Sequence, residues 1–221
     1  LVAIPLKQHL LPVADGGEVA SCGNARRCVA WLLMEETGKA NVPVETKAGL
    51  LGCARAGERR VRADMGKPKF GWQDIPLSEE CDTLRLPVSL GDLSDPAAVS
   101  MGNPHMVFVV PDVDAVPLAQ VGPRLEHHPL FPERANVGFA QVTGNGAIKL
   151  RVWERGTGET LACGTGACAA LVAFSRRGLV TDKANVSLPG GTLEVEWDRT
   201  ANHVFMTGEV ALSFRGEWDG Q

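Results

Sequence analysis

The strongest constraint on this 221-residue chain is that it echoes itself. Ser21-Cys22-Gly23-Asn24, followed by Cys28 and the apolar run Val29 to Leu33, returns about 141 residues later. The second version reads Ala162-Cys163-Gly164-Thr165, followed by Cys168 and Ala169 to Phe174. Downstream, Val42-Pro43-Val44-Glu45-Thr46 leads into Ala48-Gly49-Leu50, and Asn185-Val186-Ser187-Leu188 leads into Pro189-Gly190-Gly191-Thr192-Leu193, with Gly190 expected as the counterpart of Gly49. Each series then reaches a short alternating segment, Arg60 to Gly66 in one and His203 to Gly208 in the other. Such alternation reads as half-buried strand. One match could arise by chance, but several in the same order predict a duplicated unit, at a spacing too long for a short-repeat array.

Each copy reads as a Gly-led loop, a helix and a meander of strands. Ala167, Ala169, Ala170 and Leu171 favour helix after Cys163, with Gly178 as its C-cap. The helix after Cys22 is expected to run to about Glu36, with Gly38 as its stop. Pro- and Gly-rich punctuation between Pro76 and Pro96 suggests a link, dividing the chain into 1–98 and 99–221, with the last strand of the second unit packing back on the first. Further turns are expected at Asn103-Pro104, Gly122-Pro123 and Gly144-Asn145-Gly146, and a strand over Val107 to Val110.

Two candidate reactive groups stand out. Cys22 and Cys163 each precede a Gly where a helix should begin, beside unpaired N–H groups and the positive end of the helix dipole. That setting is expected to lower a thiol's pKa below its free value. The run Cys163-Gly164-Thr165-Gly166 would also let backbone amides approach a carboxylate. Equivalent cysteines in duplicated halves suit a reaction that takes a proton from one face of a carbon and returns one to the other. Plain packing competes with this, since free Cys is among the most buried residue types. It is the preferred reading for Cys28 and Cys168, some five residues into their helices, and for Cys53 and Cys81. A zinc site is disfavoured: Cys163 and Cys168 are separated by four residues, Cys22 and Cys28 by five, and no His lies at useful spacing.

Composition excludes other classes. A net charge of −4 leaves no electrostatic footprint for nucleic acid or an anionic membrane, and no apolar run approaches the length of a bilayer span. Leu1 to Pro12 is interrupted by Lys7 and His9 and lacks the layout of a signal peptide, so the cytoplasm is the expected compartment and the six cysteines are expected as free thiols. Residue 1 is Leu, which suggests processing or truncation.

Two more segments carry polar groups of use. Met101-Gly102-Asn103-Pro104-His105 places an amide and an imidazole in a turn, and Trp153-Glu154-Arg155-Gly156-Thr157-Gly158-Glu159-Thr160 runs a charged pair towards Cys163. His105 can equally be a turn residue satisfied by backbone, and Glu154 with Arg155 a surface ion pair of little energetic weight.

These segments, with Ala14-Asp-Gly-Gly-Glu-Val-Ala-Ser-Cys22-Gly-Asn24 and His128-Pro-Leu-Phe-Pro-Glu-Arg-Ala-Asn136, resemble the motifs of the diaminopimelate epimerases, in the superfamily of cofactor-independent racemases. The resemblance implies an α/β (α+β) fold of two pseudo-symmetric halves, each a curved, mostly antiparallel sheet around a central helix, with the site in the cleft. It implies interconversion of LL- and meso-diaminopimelate, in lysine and peptidoglycan precursor synthesis, with no cofactor and no metal. Cys22 and Cys163 fall on the acid–base positions. Gly23, Asn24, Asn103, Asn136, Glu154, Arg155, Gly164 and Thr165 fall on substrate-binding ones, and His105 and Glu154 fall where thiol pKa values are tuned. A small amino-acid substrate is the expected partner, neither nucleic acid nor membrane is, and there is room for a homodimer. The family's opening Gly-Asn-Asp-Phe segment has no counterpart in Leu1 to Val13, Val13 stands where the family has Asn, and Ala25 and Arg26 replace small residues. A missing N-terminal piece or a damaged first half is therefore expected. Two alternatives stay open: a proline-type racemase, and an inactive relative acting as a binding or dimerisation module.

Overall fold

A computed structural model describes residues 23–46 and 49–212. The described residues begin with α1 (Gly23–Thr37) and a meander of β1 (Asn41–Thr46), β2 (Gly49–Gly57) and β3 (Arg60–Asp64). A turn-rich stretch carries the hairpin β4 (Ser89–Leu90) and β5 (Leu93–Ser94), then come β6 (Ala97–Ser100), β7 (Pro104–Val109) and α2 (Leu118–Glu126). Strands β8 (Asn136–Thr143), β9 (Ala147–Glu154) and the short β10 (Gly158–Thr160) lead to α3 (Gly164–Arg176). A second meander closes the series: β11 (Lys183–Leu188), β12 (Gly191–Asp198) and β13 (His203–Glu209).

The main sheet runs β1-β2-β3-β13-β12-β11-β9-β8-β7-β6, with β10 on β9. Its first six strands form a palindrome. The alternating segments of the two copies meet as antiparallel neighbours, with Met206 opposite Ala63 and Gly208 opposite Val61. The pairing of β13 with β3 is what a twofold relation between duplicated meanders produces. Both helices stop as expected. Gly38 (φ 68°) donates its N–H to Met34 O at 3.0 Å, and Gly178 (φ 70°) donates to Ser175 O at 3.0 Å. The counterpart of Gly49 is Gly191 rather than Gly190: each opens the second strand of its meander, so the echo slips by one residue after the helix.

The two helices differ in cover. Every residue of α3 from Gly164 to Ser175 is buried, which its all-round apolar sequence allows. On α1 the buried positions are Gly23, Arg26, Arg27, Ala30 and Met34. Cys28 lies two residues from both Arg26 and Ala30, on the opposite side of a helix of 3.6 residues per turn, and is exposed, contrary to the core role expected for it. Its counterpart Cys168 is buried, as is Cys53, and Cys81 is partly buried. One apolar core surrounds α3 and the inner face of α1; a second joins α2, β7 and β8 to the stretch after β3. Ile75, Leu86 and Val88 belong to this second core, so the punctuated segment packs as part of the body.

Gly122-Pro123 is not a turn but lies inside α2. In so short a helix Pro123 forfeits a single backbone bond, and its carbonyl is engaged by His127 Nδ1 at 2.9 Å. Strand β7 starts at Pro104, where a missing N–H costs the ladder nothing. Its parallel pairing sets His105 beside Asn136. Among the described residues no helix is long and apolar enough to cross a membrane.

Candidate active site

The site is built where the two helices begin. Cys163 is the N-cap of α3, in extended backbone (φ −115°, ψ 104°), and its Sγ accepts a hydrogen bond from Gly166 N–H at 3.3 Å. A sulfur thus takes the place of the oxygen that usually caps a helix. Thr165 Oγ1 lies 3.6 Å from the same sulfur. The side of Gly164 faces Gly23: a Cβ added to Gly164 would stand 3.6 Å from Gly23 Cα and 3.2 Å from the Met206 side chain. A Cβ on Gly23 would meet Met206 Cε at 2.6 Å. The two helix starts lie within van der Waals reach of each other, and the flexible end of Met206 of β13 fills the space beside both glycines. Asn24 ties them together. Its Nδ2 donates to Ala162 O at 3.3 Å, and its Oδ1 accepts from Arg27 Nη2 at 3.0 Å. Cys22, with the preceding part of its motif and Val13, lies outside the described residues.

The electrostatics of Cys163 run against the sequence-based expectation of a lowered pKa. Burial pushes the thiol up to about 12, and the Glu154 charge adds to the effect. Hydrogen bonds from Thr165 and Gly166 oppose this, and Glu154 as a hydrogen-bond partner reinforces it. Desolvation of a residue only 5 % exposed outweighs the helix start. At rest Cys163 is a thiol.

A chain of hydrogen bonds leads away from it. Asn103 Nδ2 donates to Thr165 Oγ1 at 3.3 Å, and the same hydroxyl shares a hydrogen bond with the sulfur. Asn103 Oδ1 faces His105 Nε2 at 3.1 Å; since that oxygen can only accept, the proton sits on Nε2. His105 is buried and neutral: burial, and then the Arg155 charge, lower its pKa to about 3.

A second group lies across the strands. Asn136 donates to Pro104 O at 3.0 Å and accepts from Arg155 N–H at 3.0 Å. Arg155 Nη1 donates to Glu133 O at 3.0 Å, and Glu154 Oε1 accepts from Thr160 Oγ1. Glu154 and Arg155 therefore do not form the surface ion pair considered from sequence; each has its own partners within the fold. The Glu154 charge acts on Cys163 and that of Arg155 on His105, which links the groups electrostatically. Thr160, Arg27 and Met206 were not foreseen as parts of the site. Only Thr160, on the strand that returns from the tight turn after Glu154, carried a local signal. Among the described residues no group of three or more His, Cys, Asp or Glu is disposed to hold a metal ion.

The fold is shared with a phenazine biosynthesis protein of the PhzF family from Bacillus anthracis (TM-score 0.61, 20 % identity, covering 89 % of this chain and 75 % of that one). It is shared equally with a hydroxyproline epimerase from Agrobacterium vitis (TM-score 0.61, 19 % identity, covering 89 % and 65 %). By architecture the chain therefore has the fold of the PhzF proteins and the hydroxyproline epimerases. The diaminopimelate epimerase family model matches residues 97–213. A diaminopimelate epimerase of Phenylobacterium zucineum is 57 % identical over 208 residues, covering 92 % of this chain and 75 % of that protein. The chain belongs to the diaminopimelate epimerase family, a family of isomerases.

Proposed function

We propose that this chain interconverts LL- and meso-diaminopimelate by moving a proton between the α-carbon and two thiols, Cys22 and Cys163, on opposite faces. The observation that carries the reading is the approach of Gly23 to Gly164, the residues that directly follow the two cysteines in duplicated segments. The rest of the site is consistent with it. Backbone N–H groups at two helix starts suit an α-carboxylate. Asn103, Asn136 and Arg155 suit the distal polar end, with the Arg155 guanidinium able to clamp a carboxylate.

In one direction the Cys22 thiolate takes the α-proton. The C–H electron pair stays on the α-carbon, and Cys163 delivers its S–H proton to the opposite face, becoming a thiolate. The reverse direction exchanges these roles. Burial and Glu154 hold Cys163 protonated and ready to donate. Once it has donated, Thr165 O–H and Gly166 N–H carry the charge left on sulfur. Two thiolates facing one small site would repel, so the pair titrates together. The reaction needs neither pyridoxal nor metal, in the supply of lysine and peptidoglycan precursors.

The test is incubation of the full-length protein with LL-diaminopimelate in heavy water. We expect α-deuterium in the product, and none with Cys163→Ala. Absence of uptake by the unaltered protein, or near-normal turnover by the variant, refutes the mechanism.

A further inference from the structure

Glu126, at the end of α2, is a buried carboxylate that the mechanism above does not use. A carboxylate removed from water is retained only where hydrogen bonds replace its hydration. Here Oε2 accepts from the Trp153 indole Nε1 at 2.8 Å, and Oε1 accepts from Gly156 N–H at 2.9 Å and Arg134 Nη1 at 3.3 Å. Its backbone carbonyl accepts from Ala135 N–H at 3.2 Å. Burial by itself would raise the pKa of this group. The bonds from Trp153 and Gly156, with the nearby His127 and Arg134, reverse that and hold it below the ordinary carboxylate value.

The positions of these donors matter more than their strength. Trp153 and Gly156 bracket Glu154 and Arg155, and Ala135 immediately precedes Asn136. One residue therefore grips both strand ends that present the second polar group. Arg155 N–H in turn bonds Asn136, joining the two gripped segments. Trp153 is itself fixed by packing so closely over Gly122 that a Cβ there would meet the indole at 2.4 Å.

We propose that Glu126 is a positioning residue. Acting through Trp153, Gly156 and Ala135, it holds Glu154, Arg155 and Asn136 in the arrangement that receives the distal end of an amino-acid dicarboxylate. This rests on the substrate reading given above. Both carboxylate oxygens face donors, so the chemistry demands a carboxylate. An amide would turn its NH2 either toward the indole N–H or toward Gly156 N–H, replacing one hydrogen bond with a repulsion.

Three proteins test this: the unaltered chain, Glu126→Gln, and Glu126→Gln combined with Trp153→Phe. In Glu126→Gln we expect KM for diaminopimelate to rise roughly tenfold, as loss of one hydrogen bond to a charged group implies, with kcat changed less than about threefold. In the double variant, removal of the indole N–H leaves room for the glutamine NH2, and KM should return towards the original value. In parallel, the Arg155 and Gly156 amides should exchange with heavy water faster in Glu126→Gln, while those of Ala140 and Leu150 in the strand interiors stay protected. An unchanged KM, or kcat and KM lost together with lower thermal stability and no recovery on Trp153→Phe, overturns the proposal. If the unaltered chain does not turn over diaminopimelate but the amide pattern is as expected, Glu126 positions the turn as proposed and it is the substrate reading that fails.

Discussion

Acidification should destabilise this protein in part through His105, and that part can be isolated. His105 is buried without charge, its pKa lowered from 6.5 to about 3 by burial and by Arg155. Between those values the unfolded chain binds a proton that the native protein refuses, so stability falls as the pH falls. At about pH 5 the unfolded imidazole lies some 1.5 units below its own pKa, and each unit corresponds to about 1.4 kcal/mol, so the loss relative to neutral pH is about 2 kcal/mol. Carried down to the native pKa, it reaches about 5 kcal/mol, comparable with the whole stability of a marginal domain. The perturbation is His105→Gln, whose amide nitrogen can still donate to Asn103 Oδ1 but does not titrate. Urea unfolding followed by tryptophan fluorescence at about pH 7 and about pH 5 compares the two proteins. With an m-value of about 2 kcal/mol/M, the midpoint of the unaltered protein should drop by about 1 M more than that of the variant. Glu126 and Asp182 also have lowered pKa values, but their losses are common to both proteins and cancel in the difference. Equal losses in the two would show that His105 is not the buried neutral donor described.

The thiols should respond in the opposite sense. Cys53, Cys163 and Cys168 are pushed up to about 11, 12 and 12, each chiefly by burial, so iodoacetamide at about pH 8 should leave them unlabelled in the native protein and label them after denaturation. Mass spectrometry reads this out, and rapid native labelling of Cys163 would show a resting thiolate instead. Gly208→Ala should lower stability by about 1–3 kcal/mol, as overpacking does. The added Cβ would lie 2.6 Å from Leu193 Cδ2 and 3.1 Å from Arg27 Cζ, the guanidinium that orients Asn24. A thermal melt unchanged from the unaltered protein would refute that packing.

What could be read from residues alone was local or repeated. Gly38 and Gly178 end their helices because only a left-handed residue closes those turns, and that requirement travels with the sequence. The helices after Cys22 and Cys163 and the strands over Arg60 to Gly66 and His203 to Gly208 were legible for the same reason, through periodicity and composition. The motif residues Asn103, His105, Asn136, Glu154 and Arg155 were legible as a set through their resemblance to a family.

Tertiary structure decided whatever depends on which element covers which. Cys28 and Cys168 follow similar helix starts, yet one is exposed and the other buried, because α3 is buried all round from Gly164 to Ser175 and α1 only along the face of Gly23, Arg26, Arg27, Ala30 and Met34. The expected low pKa of Cys163 took account of the helix end, a local feature, and not of desolvation, which exists only once the chain has closed over the sulfur. Glu126 bears no motif for its role; its donors arrive from strand ends up to 30 residues away in the chain, through pairings that local patterns do not encode. Local backbone preferences act over a few residues and are written in order along the chain. Burial and long-range hydrogen bonds are set by the fold as a whole, and they determine the charge of the groups at this site.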